Sequence, residues 1–342
     1  MLSSLLLVAS CQPGFAQAAK PKEVVVQACG QTSPVASAGD AADDPAIWIH
    51  PKDPDLSLIL GTDKKRGLAA YDLDGKLKQF LELGAVNNVD LRQSLSLKSG
   101  LIDLAVLSHR HHRSVDVVEI RPDAKLEFLG RFPTQLPDVY GICMRKTDQG
   151  GAEALINSKT GRLDRYALEI REGSVKGELK QTWMFGSQIE ACVVDDAASI
   201  VFVGEEKRGV WSLSLETPMS EPRLILEVGQ YLTADLEGLA LVDHPMQGRL
   251  LIASSQGDHH FIVMQAKEPH QVLGRFRIGE HQGRRIDAVT DTDGIEVFGG
   301  ALGSKFPGGL LVVQDGSPGG ESNNQNFKLV CWDEVLRALE LD

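Results

Sequence analysis

Carboxylates recur along this chain in short clusters: Asp43-Asp44, Glu190, Glu206, Asp235-Leu-Glu237, Asp287 and Asp291-Thr-Asp293. All are hard oxygen donors with no His or Cys among them, a set that selects calcium or magnesium over zinc or copper. Holding so many like charges on one face is costly unless a cation intervenes. Calcium tolerates irregular shells of about six to eight oxygens, so several calcium ions are the expected cofactor. A second group, Lys64, Lys65, Arg110 and Lys159, is cationic. Divalent ions beside lysine and arginine suit a substrate that carries several phosphates. Arg110 can grip a phosphate bidentately while the lysines act as movable point charges. Bound cations can bridge phosphate oxygens and activate water. Phosphoryl transfer needs positioning and charge neutralisation more than a dedicated nucleophile. That agrees with a chain in which no Ser/His/Asp or Cys/His constellation is evident.

These residues sit at fixed places in an internal repeat. Six segments each run strand, turn, apolar strand, polar cluster and a further strand. The second strands with their clusters include Leu58-Ile-Leu-Gly-Thr-Asp63, Leu104-Ala-Val-Leu-Ser-His109 and Ile200-Val-Phe-Val-Gly-Glu205. The markers Asp63, His109, Ser158, Glu206, Gln256 and Asp315 follow one another at intervals of 46, 49, 48, 50 and 59 residues. Short β-branched strands repeating every ~40–50 residues are the propeller signature. The expected fold is therefore all-β, a six-bladed β-propeller, closed by pairing an N-terminal strand with the last blade. Val24-Val-Val-Gln-Ala28 beside Phe327-Lys-Leu-Val330 is the expected seam. Helical periodicity is confined to Asp333–Leu341, with Asp333 as N-cap. In such a blade the start of the innermost strand and the end of the second strand share one edge. Most of the carboxylates start innermost strands, while Glu206 and the cations follow second strands, so they are expected around one mouth, a basic crescent facing an acidic one. Asp72-Leu-Asp74-Gly75 shares the lettering of Asp291-Thr-Asp293-Gly294 but lies between two strands, and reads as a hairpin turn.

The 342 residues carry a net charge of −12, which argues against general affinity for nucleic acid or an anionic membrane. No uncharged apolar run reaches the ~20 residues of a membrane helix. The apolar start and Ala16-Gln-Ala18 read as a signal peptide over residues 1–18, ahead of one domain over 19–342. Val8-Ala-Ser-Cys11 offers the competing reading of a lipid anchor at Cys11. An exported protein is expected, secreted or periplasmic and outer-membrane-associated, acting as a monomer. Beyond the leader, Cys29, Cys143, Cys192 and Cys331 allow three pairings. A Cys29–Cys331 bond across the seam is one hypothesis, and the pairing stays open.

The stretches Asp40-Ala-Ala-Asp-Asp-Pro-Ala-Ile-Trp48, Asp63-Lys-Lys-Arg-Gly-Leu68, Asn87-Asn-Val-Asp-Leu-Arg92, Ala234-Asp-Leu-Glu-Gly-Leu239, Ala253-Ser-Ser-Gln-Gly257, Thr290-Asp-Thr-Asp-Gly-Ile295 and Asn324-Gln-Asn-Phe-Lys328 resemble the β-propeller (alkaline) phytases from about Asp40 to Trp332. The resemblance implies calcium-dependent hydrolysis of myo-inositol hexakisphosphate, phytate, by in-line attack of a calcium-held water. It implies that Lys64, Lys65, Arg110, Tyr140 and Lys159 bind substrate phosphate. It implies Asp43, Glu190, Glu206, Asp235, Glu237 and Asp293 as catalytic calcium ligands. Asp44 and Asp287, with the Val89 carbonyl, match a structural calcium site. Thr160 departs from the acidic residue the family commonly has there. His50 and the run His109–Arg113 are unusual; an exposed loop is favoured over a zinc role for the histidines, with only Arg110 functional. A calcium-dependent propeller lactonase or esterase, or a non-enzymatic calcium- or anion-binding propeller, are the alternatives; neither lactonase nor esterase accounts for the basic crescent.

Overall fold

The computed structural model describes residues 21–97, 100–171, 174–217, 220–319 and 324–342. The expected leader and Cys11 lie outside the described residues. The strands form six sheets arranged as a six-bladed β-propeller. The innermost strands are Ala42–Trp48, Val86–Leu97, Ile142–Lys146, Ile189–Asp195, Leu239–His244 and Ile295–Phe298, and each pairs antiparallel with the second strand of its own blade.

A blade is covered on both faces by its neighbours, so its inner strands read as continuous apolar runs instead of alternating. All six residues of Leu58–Asp63 are buried. Between blades two and three, Leu104, Val106, Val115 and Val117 pack with Met144, Ala154, Ile156 and Tyr166. The close approach of blades one and six needs Gly61, where a Cβ would stand 2.3 Å from the Phe327 ring. The Asp72–Gly75 hairpin turn is as expected: Gly75 N–H donates to the Asp72 carbonyl at 2.8 Å, and Asp72 Oδ1 accepts from the Asp74 and Lys76 amides.

The ring is closed by the N-terminal segment, but not by the residues expected. Gly30–Gln31 pairs antiparallel with Asn326–Cys331 of the sixth blade. Lys22–Gln27, which contains the Val24 run, instead adds a fifth, parallel strand to the fifth blade beside Val272–Gly279. The reason is apolar cover: Val24 and Val26 join a cluster with Phe276, Ile278, Val335 and Leu339, the last two from the C-terminal helix. That helix runs Trp332–Leu339 with Cys331, not Asp333, as N-cap; Asp333 lies in its first turn and accepts from Arg337 at 3.0 Å. One disulfide is present among the described residues. It joins Cys143 to Cys192, tying the innermost strands of blades three and four. Cys29 and Cys331 do meet at the seam, as thiols 2.8 Å apart.

Candidate active site

The ring brings the acidic and basic groups to one end. Lys64 directly follows the second strand Leu58–Asp63 and turns inward instead of facing the acids across the mouth. Its Nζ stands 2.6 Å from Asp40 Oδ1, 3.1 Å from Asp43 Oδ2 and 3.1 Å from Asp293 Oδ2. Burial alone would lower its pKa, but Asp43 and Asp293 outweigh that and hold it above the ordinary lysine value. Arg110 ends beside it, donating through Nη2 to the Lys64 carbonyl at 2.8 Å. Lys65 points away toward the Ala38 carbonyl, 2.5 Å from its Nζ. Lys159 lies over the Tyr140 ring with Nζ 4.2 Å from the centroid, a cation–π contact. Its backbone N–H is held by Asp138 Oδ1 at 2.9 Å.

Deeper in the mouth, carboxylate oxygens of Glu190, Glu206 and Glu237 lie within 4.8 Å of one another, and all three residues are buried. Desolvation, reinforced by Asp43 and Glu237, raises the Glu190 carboxyl well above its usual range. Burial and Glu237 push Glu206 up to about 7, and burial with Asp43 pushes Asp293 up to about 8. Glu237 Oε2 is buried with no hydrogen-bond partner among the described residues. An unpartnered oxygen among crowded, desolvated carboxylates makes a set that could hold a metal ion, and all-oxygen donors fit calcium.

Above this cluster opens a cleft of about 320 Å³, lined by Asp40, Lys64, Tyr140, Glu237, Gln256, Asp291 and Asp293 among others. Asp291 has a left-handed backbone (φ 48), and its carboxylate accepts from the Ser317 hydroxyl at 3.2 Å. Asp235 carries the backbone carbonyl that accepts from Gln256 N–H, and its charge contributes to raising both Glu206 and Glu237. Below, a cavity of about 20 Å³ on the propeller axis is lined by Asp44, Asn88, Val89, Asp90, Glu237 and Glu296 with their neighbours. Glu237 therefore borders both spaces. Asp44 Oδ2 accepts from the Val89 amide at 3.1 Å. Gly294 makes room for it, since a Cβ there would stand 2.1 Å from Asp44 Oδ1.

Asp287 does not share these partners. Its Oδ1 is 2.9 Å from Lys328 Nζ, a fully buried ammonium that also meets Asp315 at 2.8 Å. Asp44 and Asp287, expected in one site, are thus held by separate groups. A cavity of about 580 Å³ includes His50, Asp72, Lys78 and Lys305 and opens at the opposite strand ends. His109 is buried, not exposed: its Nδ1 accepts from the His112 amide and its Nε2 faces the Leu83 carbonyl. Thr160 hydrogen-bonds within its own loop, its hydroxyl 2.6 Å from that of Ser158.

Several residues of the site carry no charge and were not singled out by sequence. Asn87 Nδ2 donates to Glu190 Oε1 at 2.7 Å and reaches Asp43 Oδ1 at 3.4 Å, placing a neutral donor between two acids. Asn157 Nδ2 holds the Glu190 carbonyl at 2.6 Å, and its Oδ1 accepts from Gly141 N–H at 2.8 Å, next to Tyr140. Gln256 Nε2 donates to Asp293 Oδ1 at 2.9 Å. The available signal was an amide at positions where other blades carry acids.

The family model described as Phytase matches residues 1–342. A 3-phytase of Bacillus subtilis (strain 168) is 36% identical over 327 residues, covering 92% of this chain and 85% of that protein. No helix among the described residues is long and apolar enough to cross a membrane.

Proposed function

The chain belongs to the phytase family, and from that premise we propose that it hydrolyses phytate in a calcium-dependent reaction at this mouth. Family membership displaces the lactonase, esterase and non-enzymatic readings. The observation that carries the calcium reading is the buried Glu190–Glu206–Glu237 cluster with its unpartnered Glu237 oxygen, beside Asp43, Asp235 and Asp293. When bound, calcium neutralises carboxylate and phosphate charge and activates water. Hydrolysis joins water oxygen to phosphorus and releases the inositol hydroxyl.

The protein's own groups do the rest. Lys64 and Arg110, linked through the Lys64 carbonyl, form one rigid cationic unit for the transferring phosphate. Lys159, held over Tyr140, anchors a neighbouring phosphate, and Lys65 joins it by turning its Nζ from the Ala38 carbonyl. Asn87 and Asn157 set the position of Glu190, and Gln256 that of Asp293. Asp44 with the Val89 carbonyl supplies a cation site that holds the fold, while Lys328 already balances the Asp287 charge. Asp291 borders the cleft as a further ligand. The enzyme works as an exported monomer whose leader or lipid anchor precedes the propeller.

The test is phosphate release from phytate in calcium and in excess chelator, with product isomers identified. Release that depends on calcium supports the reading. Full activity under chelation would remove the calcium assignment, and no release in either condition would remove phytate as substrate.

A further inference from the structure

The two cysteines left as thiols meet where the ring closes. Cys29 precedes the closing residues Gly30–Gln31, and Cys331 ends the last strand of blade six and caps the C-terminal helix. Their sulfurs are 2.8 Å apart across 302 residues of sequence, and the Cys29 thiol donates to the Leu329 carbonyl at 3.2 Å. A disulfide spans about 2.0 Å, so the pair needs an approach of under about 1 Å. Both residues are partly exposed, whereas Cys143 of the existing bond is fully buried. The helix N-terminus at Cys331 and the Arg284 guanidinium, which donates to the Cys29 carbonyl, favour a thiolate. Asp333 and Glu334 in the first helical turn oppose it.

We propose that Cys29 and Cys331 form a second, reversible disulfide that locks the closing segment onto the last blade. The Cys331 thiolate attacks one sulfur of an external disulfide, forming a mixed disulfide and expelling one thiolate. The Cys29 sulfur, its proton passed to solvent, then displaces the second thiolate from Cys331. Two protein thiols lose two electrons and two protons, and the external disulfide gains both as two thiols. The lock acts on a seam that also carries site residues. Gln325 Oε1, one residue before the last strand, accepts from the Ala41 and Ala42 amides at 2.7 and 2.9 Å, directly ahead of Asp43 and Asp44. Lys328 of the same strand holds Asp287 and Asp315.

The experiment equilibrates the full-length protein across ratios of reduced to oxidised glutathione, blocks free thiols with maleimide, and maps unreduced peptides by mass spectrometry beside a thermal melt. Expected are a linked Cys29–Cys331 peptide pair under oxidising ratios and its loss before the Cys143–Cys192 pair, of which Cys143 is buried. The linked form should melt about 5 °C higher, from the large loop closed and the size of the chain. The shift should vanish in Cys331→Ser; should that variant not fold, the parent's own redox series decides. Maleimide on both cysteines at every ratio would overturn the bond. An unchanged melt with the linked peptide present would overturn the lock.

Discussion

Replacing Lys64 by Met removes the ammonium from three carboxylates at 2.6–3.1 Å while keeping its length. Asp43, only 2% exposed, then loses its cation in a place water does not reach. Removing one partner of a buried ion pair costs about 3–5 kcal/mol. A 342-residue chain unfolds with an entropy of about 0.7 kcal/mol/K, so the melting temperature should fall by about 4–7 °C in chelator at pH 8.5. The loss should shrink as pH falls, because the Asp293 carboxyl, pushed up to about 8 by burial and Asp43 even with Lys64 beside it and higher without it, escapes by taking a proton. Saturating calcium should recover most of it by supplying the missing positive charge. In calcium, kcat/KM for phytate should fall by about 10–100-fold, the loss of one charge-assisted contact to phosphate. The assay is differential scanning fluorimetry across pH, with and without calcium, beside phosphate release. A variant melting within a degree of the parent in chelator at pH 8.5 would refute the idea that Lys64 holds this acidic centre together.

Asn87→Leu, which removes the neutral donor between Glu190 and Asp43, should lower kcat/KM about tenfold or more, measured by steady-state phosphate release. Gly294→Ala pushes a methyl to within 2.1 Å of Asp44 Oδ1 and should cost about 1–3 kcal/mol, read as a lower urea midpoint. Asp116, whose carboxyl burial pushes up to about 6 against the pull of Arg131, supplies stability present below about pH 4 and lost as pH rises through 6. Asp116→Asn should therefore gain on the parent from pH 4 to 6 and hold that gain above it; parallel stability curves in urea would contradict this.

The repeat is legible because a blade strand buried on both faces must be apolar along most of its length, as Leu58–Leu60 and Ile200–Val203 are. Strand ends were legible too, and with them the face shared by Lys64, Tyr140, Glu190, Glu237 and Asp293. What escaped were contacts that cross the ring. Lys64 was expected opposite the acids, yet its four-carbon stem lets it sit among Asp40, Asp43 and Asp293 from two sides of the seam. Asn87 and Asn157 were passed over because an amide shows its worth only once its donor faces a carboxylate of another blade. The separation of Asp44 from Asp287 was equally hidden, since Lys328, a buried cation from the last strand, claims Asp287.

From its amino acids alone, then, this protein's period, strand pattern and acid-rich strand ends were determined, because each follows from local burial and from spacing along the chain. Which N-terminal residues close the ring, which cysteines bond and which charges touch were decided by tertiary structure. The apolar stripe of the C-terminal helix drew Val24 and Val26 to the fifth blade and left Gly30–Gln31 to seal the sixth. The innermost strands of blades three and four lie close enough to bond Cys143 to Cys192. Distances between blades are set by packing around an axis, and packing of that kind has no counterpart in linear spacing.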